Sequence, residues 1–246
     1  MIRSLLIRGM IAGLVAGLIG FGFAKAFGEP WVARAIAFEE QHEHAHSHHH
    51  DGDEQLIGRD TQSGLGLLTG VAVFGTALGG IFSLVFALAY GRLGALRARG
   101  TSALLAMGGF VSVAVVPFLK YPPSPPAVGN ADTIGPRTAL FFGMVAISIA
   151  AAVFAVWLQR RTHARHGDWN ATIIAGVVYI ALMVIAQGVL PRVDEVPAGF
   201  SASVLWNFRV AAIGIQVIIW TTLGLVFGAL AARQLERPAS QRMAAV

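Results

Sequence analysis

The chain has 246 residues, of which 55% are apolar and 13% are charged, whereas soluble domains carry about 25% charged residues. The mean hydropathy is +0.65 and the pI is about 10.4. There is no cysteine, which excludes disulfides and thiolate metal sites. This composition argues against a soluble enzyme and against a nucleic-acid-binding domain. The basic pI has another origin, because most of the arginines flank long apolar runs.

Six long stretches contain no charged residue at all: 9–24, 61–91, 100–119, 138–159, 169–191 and 210–232. An α-helix needs about 20 apolar residues to cross the hydrocarbon core of a bilayer. Helices also satisfy every backbone polar group inside the segment, which the lipid interior requires. The sequence therefore predicts an all-α, polytopic membrane protein, with six transmembrane helices in a single membrane domain over 1–246.

The cations divide unevenly between alternate connections. One set holds eleven cations and two acids: 1–8, 92–99, 160–168 and 233–246. The other set holds seven cations and eleven acids: 25–60, 120–137 and 192–209. Loops rich in Lys and Arg stay in the cytoplasm. We therefore expect the first set and both termini to be cytoplasmic, in a multi-pass protein of the inner (plasma) membrane.

The first stretch allows two interpretations. Arg3 and Arg8, an apolar run and the small-x-small sequence at 24–26 are typical of a signal peptide, whose cleavage would leave five spans. The run 9–24 is, however, longer than the usual apolar region of about 7–15 residues. We expect the first span to be retained.

Glycines recur at intervals of four in the first two stretches: Gly9, Gly13, Gly17, Gly66, Gly70, Gly75 and Gly79. Small residues at this spacing form a flat helix face on which another helix can pack closely. We predict close helix packing at these glycines, and helices with such faces are the first candidates for the walls of a transport path.

The connection 29–60 contains the most distinctive segment, QHEHAHSHHHDGDE at 41–54, with six of the eight histidines. Imidazole suits Zn, Ni, Co and Cu ions, and the Irving–Williams order favours Cu or Ni over Co. Alternate residues would share one side of an extended chain. The predicted metal ligands are His42, Glu43, His44, His46, His48, His49, His50, Asp51 and Asp53. The alternative is a solvated low-complexity linker. His163 and His166, in contrast, are expected in a solvated polar turn.

The other two connections of this set are unusual as well. In 120–137, four prolines stiffen the chain and predict either a rigid spacer or a cap over a pore mouth. In 192–209, two adjacent acids point apart in any regular structure and cannot form one bidentate site. The residues expected at a pathway mouth are Lys120, Tyr121, Pro122, Pro125, Pro126, Asp132, Asp194, Glu195 and Asn207. The alternative for each acid is a solvated loop position.

No Asp, Glu or His lies deep in any apolar stretch, although ion-coupled transporters commonly bury such groups. The remaining candidates for an intramembrane path are Met107, Ser148, Met183, Gln187 and Gln216. No Walker loop, HExxH or GxSxG sequence is present. We therefore expect no enzyme and no ATP hydrolysis by this chain.

The three loops together resemble the CbtA-type family of proposed cobalt transporter subunits. The matching segments are HEHAHSHHH at 42–50, FLKYPPSPPAVGNADTIGPRTAL at 118–140 and LPRVDEVPAGFSASVLWNFR at 190–209. The resemblance covers essentially the whole chain. It implies import of Co(II) for cobalamin synthesis, together with a small single-span, histidine-bearing partner of the CbtB type. Members are usually described with five spans, one fewer than predicted here.

Two classes of function follow, and the first has a variant. The first is a cobalt uptake subunit in which the histidine segment collects Co(II) outside the cell. A close variant transports Ni(II) or Zn(II) by the same design. The second class is a metal-binding membrane scaffold or sensor that conducts nothing, which the lack of deep polar residues favours. The expected surroundings are a lipid bilayer and a small protein partner, with no nucleic acid.

Overall fold

A computed structural model describes residues 2–46 and 62–236, and these residues form helices and loops without a β-strand. The α-helices are α1 (Ile2–Phe23), α2 (Glu29–His46), α3 (Leu67–Ala89), α4 (Ala98–Gly109), α5 (Val116–Lys120), α6 (Ile134–Val189) and α7 (Ala202–Leu235). Wider π-helical segments, Ala24–Gly28 and Phe110–Val115, join α1 to α2 and α4 to α5, and a third, Gln62–Gly66, precedes α3. A 3₁₀ turn, Ala131–Thr133, leads into α6.

The all-α architecture expected from the sequence is confirmed. Within the described residues, five helices are long and apolar enough to cross a membrane, and one of them, Ala131–Val189, is interrupted at Gly167. The first of them runs from Ile2 to Gln41, because the π-helical segment Ala24–Gly28 keeps helical backbone angles at both of its ends and joins α1 to α2. The predicted loop 29–60 therefore begins as a helix, because α2 occupies Glu29–His46.

The main core forms where α1 packs against α3 and α7. A Cβ atom built on Gly13 would lie 2.0 Å from the Gly75 carbonyl oxygen, and one on Gly79 would lie 2.1 Å from the Gly9 oxygen. These glycines are needed because the two backbones touch. The prediction of close packing is confirmed here, whereas it is wrong for Gly70, whose Cβ position has no atom within 4 Å.

Aromatic side chains extend this core toward α7. The Phe227 ring lies 5.4 Å from Phe82 and 5.0 Å from Phe86, both in edge-to-face contact. Ser102 of α4 donates a hydrogen bond of 2.7 Å to the Gly224 carbonyl oxygen, so α4 also packs directly on α7. The four helices α1, α3, α4 and α7 therefore form one packed unit.

The 56-residue helix α6 folds back on itself. At Gly167 the backbone leaves the helical region (φ 74, ψ 166). The hydroxyl oxygens of Ser148 and Tyr179 lie 2.9 Å apart although 31 positions separate them, and a straight helix would place them about 46 Å apart. The helix is thus a hairpin of two limbs, which correspond to the uncharged stretches 138–159 and 169–191.

The hairpin packs on the rest of the chain through a second core. Its buried residues are Val116, Tyr121, Met144, Ala151 and Met183. Val116 begins α5 directly after the π-helical segment, and the methionines come one from each limb of the hairpin. This second core ties the hairpin to α5.

The connections of the two charge classes meet at opposite ends of the molecule. At one end, Ser4 donates to the Gln234 side chain (2.9 Å), the Ala98 N–H donates to Glu236 (2.8 Å), and Arg160 donates to a backbone oxygen of the 92–97 connection. We call this the arginine end. The connections 120–133 and 190–201 meet at the other, which we call the cap end. Within residues 2–46 and 62–236, the structure thereby brings together parts of the connections that the sequence grouped by charge.

Candidate functional site

The cap end is held by side-chain hydrogen bonds between its two loops. The Lys120 ammonium donates to the Gln187 carbonyl oxygen at 2.6 Å, and the Tyr121 hydroxyl donates to the Pro191 carbonyl oxygen at 2.9 Å. Helix α5 ends here, and the proline-rich sequence that follows has no helical structure up to the turn at Ala131. Both side chains predicted at a pathway mouth therefore serve to fasten the cap.

Glu195 forms the second fastening point, which we call the Glu195 latch. Its Oε2 atom accepts hydrogen bonds from the Asn130 N–H (2.9 Å) and the Thr133 hydroxyl (2.8 Å), and it lies 3.4 Å from Arg137 Nε. The backbone donor of Asn130, then Thr133 and the Arg137 charge, hold the pKa of Glu195 below its usual range. This carboxylate is already satisfied by the protein.

Gly129 makes room for the latch. Its φ of +112° is a backbone conformation that suits glycine, and a Cβ atom there would lie 2.0 Å from the Arg137 Nη1 atom. The Arg137 guanidinium also donates to the Asn130 carbonyl oxygen at 3.1 Å. The loop backbone thus wraps around the arginine that faces Glu195.

A cleft of about 530 Å³ opens between the two cap loops, the start of α6 and α7. Its polar and proline lining includes Tyr121, Pro122, Arg137, Asp194, Glu195 and Arg209. Of the predicted mouth residues, the structure thus brings four together at this cleft: Tyr121, Pro122, Asp194 and Glu195. Arg209 also donates a long hydrogen bond, 3.4 Å, to the Pro123 carbonyl oxygen.

The other predicted mouth residues lie elsewhere in the cap region. Pro125 is buried in the cap and Pro126 is half-buried. Asp132 is exposed in the 3₁₀ turn, where its N–H donates to the Asn130 side chain. Asn207 donates to the Ser203 carbonyl oxygen of its own helix at 2.7 Å. None of these, nor Lys120, lines the cleft.

The charges of the cleft nearly balance. Two acids, Asp194 and Glu195, face two cations, Arg137 and Arg209, and Glu195 is engaged in its latch. Among the described residues no three His, Asp or Glu side chains come together in a way that could hold a metal ion. Within the described residues, the cap cleft therefore pairs its acids with arginines and does not form a preformed metal cage.

The histidine segment lies only partly within the described residues. The main chain of His42, Glu43, His44 and His46 belongs to the last turns of α2, so the extended arrangement considered above does not hold for these positions. Their side chains, and all of His48, His49, His50, Asp51 and Asp53, lie outside the described residues. Their role as metal ligands stays a prediction.

Helix α2 runs toward the cap. The ring of Phe38 lies 5.0 Å from the ring of Phe200 in edge-to-face contact, and Phe200 belongs to the connection that carries the Glu195 latch. The histidine segment therefore begins beside the same end of the molecule as the cap cleft.

The polar and sulfur-bearing candidates within the apolar stretches separate into two groups. Ser148 and Met183 lie at the hairpin interface, joined there by Tyr179 and Met144, which the sequence analysis did not single out. Met107 is 63% exposed. The Gln216 side chain accepts from Trp220 at 3.2 Å, and Gln187 contributes its backbone oxygen to Lys120.

Sequence reasoning missed Arg137, Asn130 and Thr133, which together hold Glu195. Arg137 was counted only as a loop charge, although an arginine and an acid in neighbouring acidic loops are a signal for pairing. At the arginine end, His163 was expected in a polar turn but lies in the last helical turns of the first limb of α6, before the reversal at Gly167. Its side chain is exposed, and its Nδ1 atom is 2.9 Å from Asp168.

Comparison with models of protein families gives a match over most of the chain. The family model described as "Probable cobalt transporter subunit (CbtA)" matches residues 2–232. This range includes the cap loops and nearly all of α7. No curated protein and no solved structure matches the chain.

Proposed function

The chain belongs to the CbtA family of probable cobalt transporter subunits, and from that premise we propose that it is the membrane subunit of an uptake system for a divalent transition metal. We propose Co(II) as the main cargo and cobalamin synthesis as its destination. The observation that carries the proposal is the family match over residues 2–232, which extends from α1 into α7.

We propose that the chain crosses the inner (plasma) membrane six times. In this orientation the arginine end and both termini lie in the cytoplasm. The hairpin in α6 supports this number. A continuous helix of 56 residues would be about 84 Å long, almost three times the ~30 Å hydrocarbon core. Two limbs that return at Gly167 each have the length of one crossing. The eleven cations of the arginine-rich connections support the orientation.

The proposed route of the metal begins at the histidine segment outside the cell. His42, His44, His46, His48, His49 and His50, with neighbouring carboxylates, would offer many interchangeable ligand sets, which suits capture followed by release. Acidification would weaken capture, because imidazole binds metal only when neutral. The Phe38–Phe200 contact supports delivery from this segment to the cap cleft.

Beyond the cap cleft we propose a route along the α6 hairpin. The interface of α1 and α3, an earlier candidate because of its glycines, is filled by backbone atoms. The hairpin interface offers hydroxyl and thioether groups instead, from Ser148, Tyr179, Met144 and Met183.

The proposal is tested by uptake of labelled cobalt in a strain that lacks every other cobalt system. Introducing the gene, together with its partner, should establish uptake at low external Co(II). An empty vector is the control. Unchanged cobalt uptake in cells that contain the protein in their membrane would overturn the proposal.

A second measurement addresses the histidine segment. Replacing its six histidines with Ala should lower uptake mainly at low metal concentration and leave uptake at saturating metal nearly unchanged, because capture limits the rate only when metal is scarce. His163→Ala with His166→Ala is the matched control at the opposite end. If the variant without the six histidines took up metal normally at low concentration, the segment would be only a linker and would not capture metal.

The alternative is a non-conducting metal-binding scaffold or sensor. It is favoured by the absence of a three-ligand group among the described residues. Reconstitution in liposomes separates the two, since metal flux through the purified chain with its partner requires a transporter. Competition of labelled Co(II) uptake by Ni(II) and Zn(II) tests the variant with a different cargo.

The word "subunit" in the family description implies a partner protein. We propose a small single-span protein of the CbtB type that bears its own histidines. Co-purification of such a protein with the tagged chain from membranes, and dependence of cobalt uptake on it, are the expected results.

A further inference from the structure

A second cleft, of about 890 Å³, opens at the arginine end between α4 and the two limbs of α6. We call it the limb cleft. Most of its wall is apolar, from residues such as Leu104, Met107 and Val156, which are 50%, 63% and 42% exposed. The side chains at its mouth that carry charge or an imidazole are Arg92, Arg160, His163 and Asp168. The cleft thus combines a charged mouth with an apolar interior.

The depth of the limb cleft corresponds to one leaflet of a bilayer. Its lining runs along the second limb from Asp168 at the mouth to Tyr179, and eleven helical positions span about 16 Å. The hydrocarbon core is about 30 Å thick, so the cleft reaches to about its middle. A transmembrane helix of a partner would need a groove along the whole core, whereas lipid acyl chains extend through one leaflet.

The mouth carries a surplus of positive charge. Arg160 donates to the Arg92 carbonyl oxygen, and Arg92 donates to the Leu88 carbonyl oxygen. A guanidinium has five N–H donors, so both arginines keep donors for a further acceptor. The acid at the mouth, Asp168, lies 2.9 Å from His163 Nδ1. An anion with several oxygens, such as a phosphate, complements this arrangement.

We propose that the limb cleft binds one anionic phospholipid, with its phosphate on Arg92 and Arg160 and its acyl chains against the apolar walls. Basic pockets between transmembrane helices on the cytoplasmic side bind anionic lipid headgroups in this way. The assignment to the cytoplasmic leaflet rests on the orientation given under the proposed function. The lipid fills the space between α4 and the hairpin, and so stabilises the hairpin against the rest of the bundle.

The test uses the full chain purified in a mild detergent. Phosphatidylglycerol and phosphatidylcholine with identical acyl chains are titrated separately, and binding is followed by native mass spectrometry and by the thermal unfolding midpoint. Phosphatidylglycerol should bind with a stoichiometry of one and raise the midpoint more than phosphatidylcholine does. The Arg92→Gln, Arg160→Gln double variant should bind phosphatidylglycerol about thirtyfold more weakly and lose the difference between the two lipids.

The matched control is Arg97→Gln with Arg165→Gln, two arginines of the same connections that do not line the cleft. It should keep the preference for phosphatidylglycerol. Inorganic phosphate at the same concentration should not raise the midpoint, because it lacks acyl chains. Equal binding of the two lipids, an unaffected Arg92/Arg160 variant, or a partner helix that occupies the cleft in place of lipid would each overturn the proposal.

Lipid binding in detergent depends neither on transport activity nor on the orientation of the chain in the membrane, since a micelle does not separate two compartments. Failure of cobalt uptake with intact lipid selectivity would contradict only the proposed function. Loss of selectivity in a chain that still transports cobalt would contradict only the lipid site.

Discussion

Single residues hold the two loops of the cap end together. The carboxylate of Glu195 accepts hydrogen bonds from Asn130 and Thr133 and faces Arg137. It therefore fastens the connection 190–201 to the connection 120–133. These contacts hold the pKa of Glu195 below its usual range. A lowered pKa in the folded state means that the ionised carboxylate favours folding. The stabilisation is fully present above the pKa of the unfolded chain and is lost as the pH falls through the folded pKa.

We therefore expect Glu195→Gln to lower the thermal unfolding midpoint at neutral pH, where the carboxylate is ionised, and to change it little in strong acid. The difference between variant and wild type should shrink as the pH falls through the acidic range. Asp132→Asn is the matched control, because that carboxylate is exposed in the neighbouring turn. A pH-independent difference would show that the latch does not depend on the charge of Glu195.

At the scale of helices, contact between α1 and α3 depends on the absence of side chains. The carbonyl oxygen of Gly75 occupies the space next to Gly13, at 2.0 Å from a built Cβ. The sequence pattern predicted this face, yet the same pattern at Gly70 meets open space. Spacing identifies a face on which packing is feasible, and the neighbouring helix decides which glycines are used.

Gly13→Ala should accordingly destabilise the bundle by about 1–3 kcal/mol, since the added methyl group must push two backbones apart. Gly22→Ala, in the same helix but with no atom within 4 Å, is the control. It should be neutral or slightly stabilising, because Ala favours the helix over Gly. Unfolding of both variants in detergent measures the difference, and equal stability would contradict direct contact of α1 with α3.

The reversal of α6 depends on one backbone position. Gly167 adopts φ 74 and ψ 166, a region that is essentially restricted to glycine. Gly167→Ala should therefore cost about 1–3 kcal/mol, even though no atom lies within 4 Å of its Cβ position. The control is Gly188→Ala near the other end of the hairpin, which is helical and also has open space. A fully stable Gly167→Ala protein would show that the reversal does not need this conformation.

For the whole molecule, the arrangement of the two ends makes the membrane orientation testable. The chain has no cysteine, so a single introduced thiol reports one position. The cap end offers two exposed positions for the variants Ser124→Cys and Ala198→Cys. The arginine end offers two exposed positions for the variants Leu96→Cys and His166→Cys. With intact cells whose outer envelope is permeable, a membrane-impermeant maleimide should label the first two. The last two should react only after the inner membrane is opened.

Labelling of Leu96→Cys or His166→Cys in intact cells would contradict the proposed orientation. Six crossings place both cap loops on the same side of the membrane. Labelling of one cap position and not the other would therefore contradict six crossings. The two positions serve as controls for each other, since they differ in sequence but lie at the same end of the structure.

The long uncharged stretches and the position of the arginines determined the class of the protein, the grouping of its loops and the helix face at Gly9 and Gly13. These properties follow from local composition, because each segment must match the lipid or water around it whatever its neighbours are. The proposed cargo, Co(II), rests on resemblance to a family and not on spacing or charge.

Only the tertiary structure decided which groups meet. The hydrogen bond from Ser4 to Gln234 joins positions 230 residues apart, and no local pattern encodes such a pair. The Glu195 latch, the return of α6 at Gly167, the helical start of the histidine loop and the limb cleft behind Arg92 and Arg160 likewise depend on how helices pack. Local composition determines which segments are suited to lipid and which to water, but contacts between distant segments decide which side chains meet.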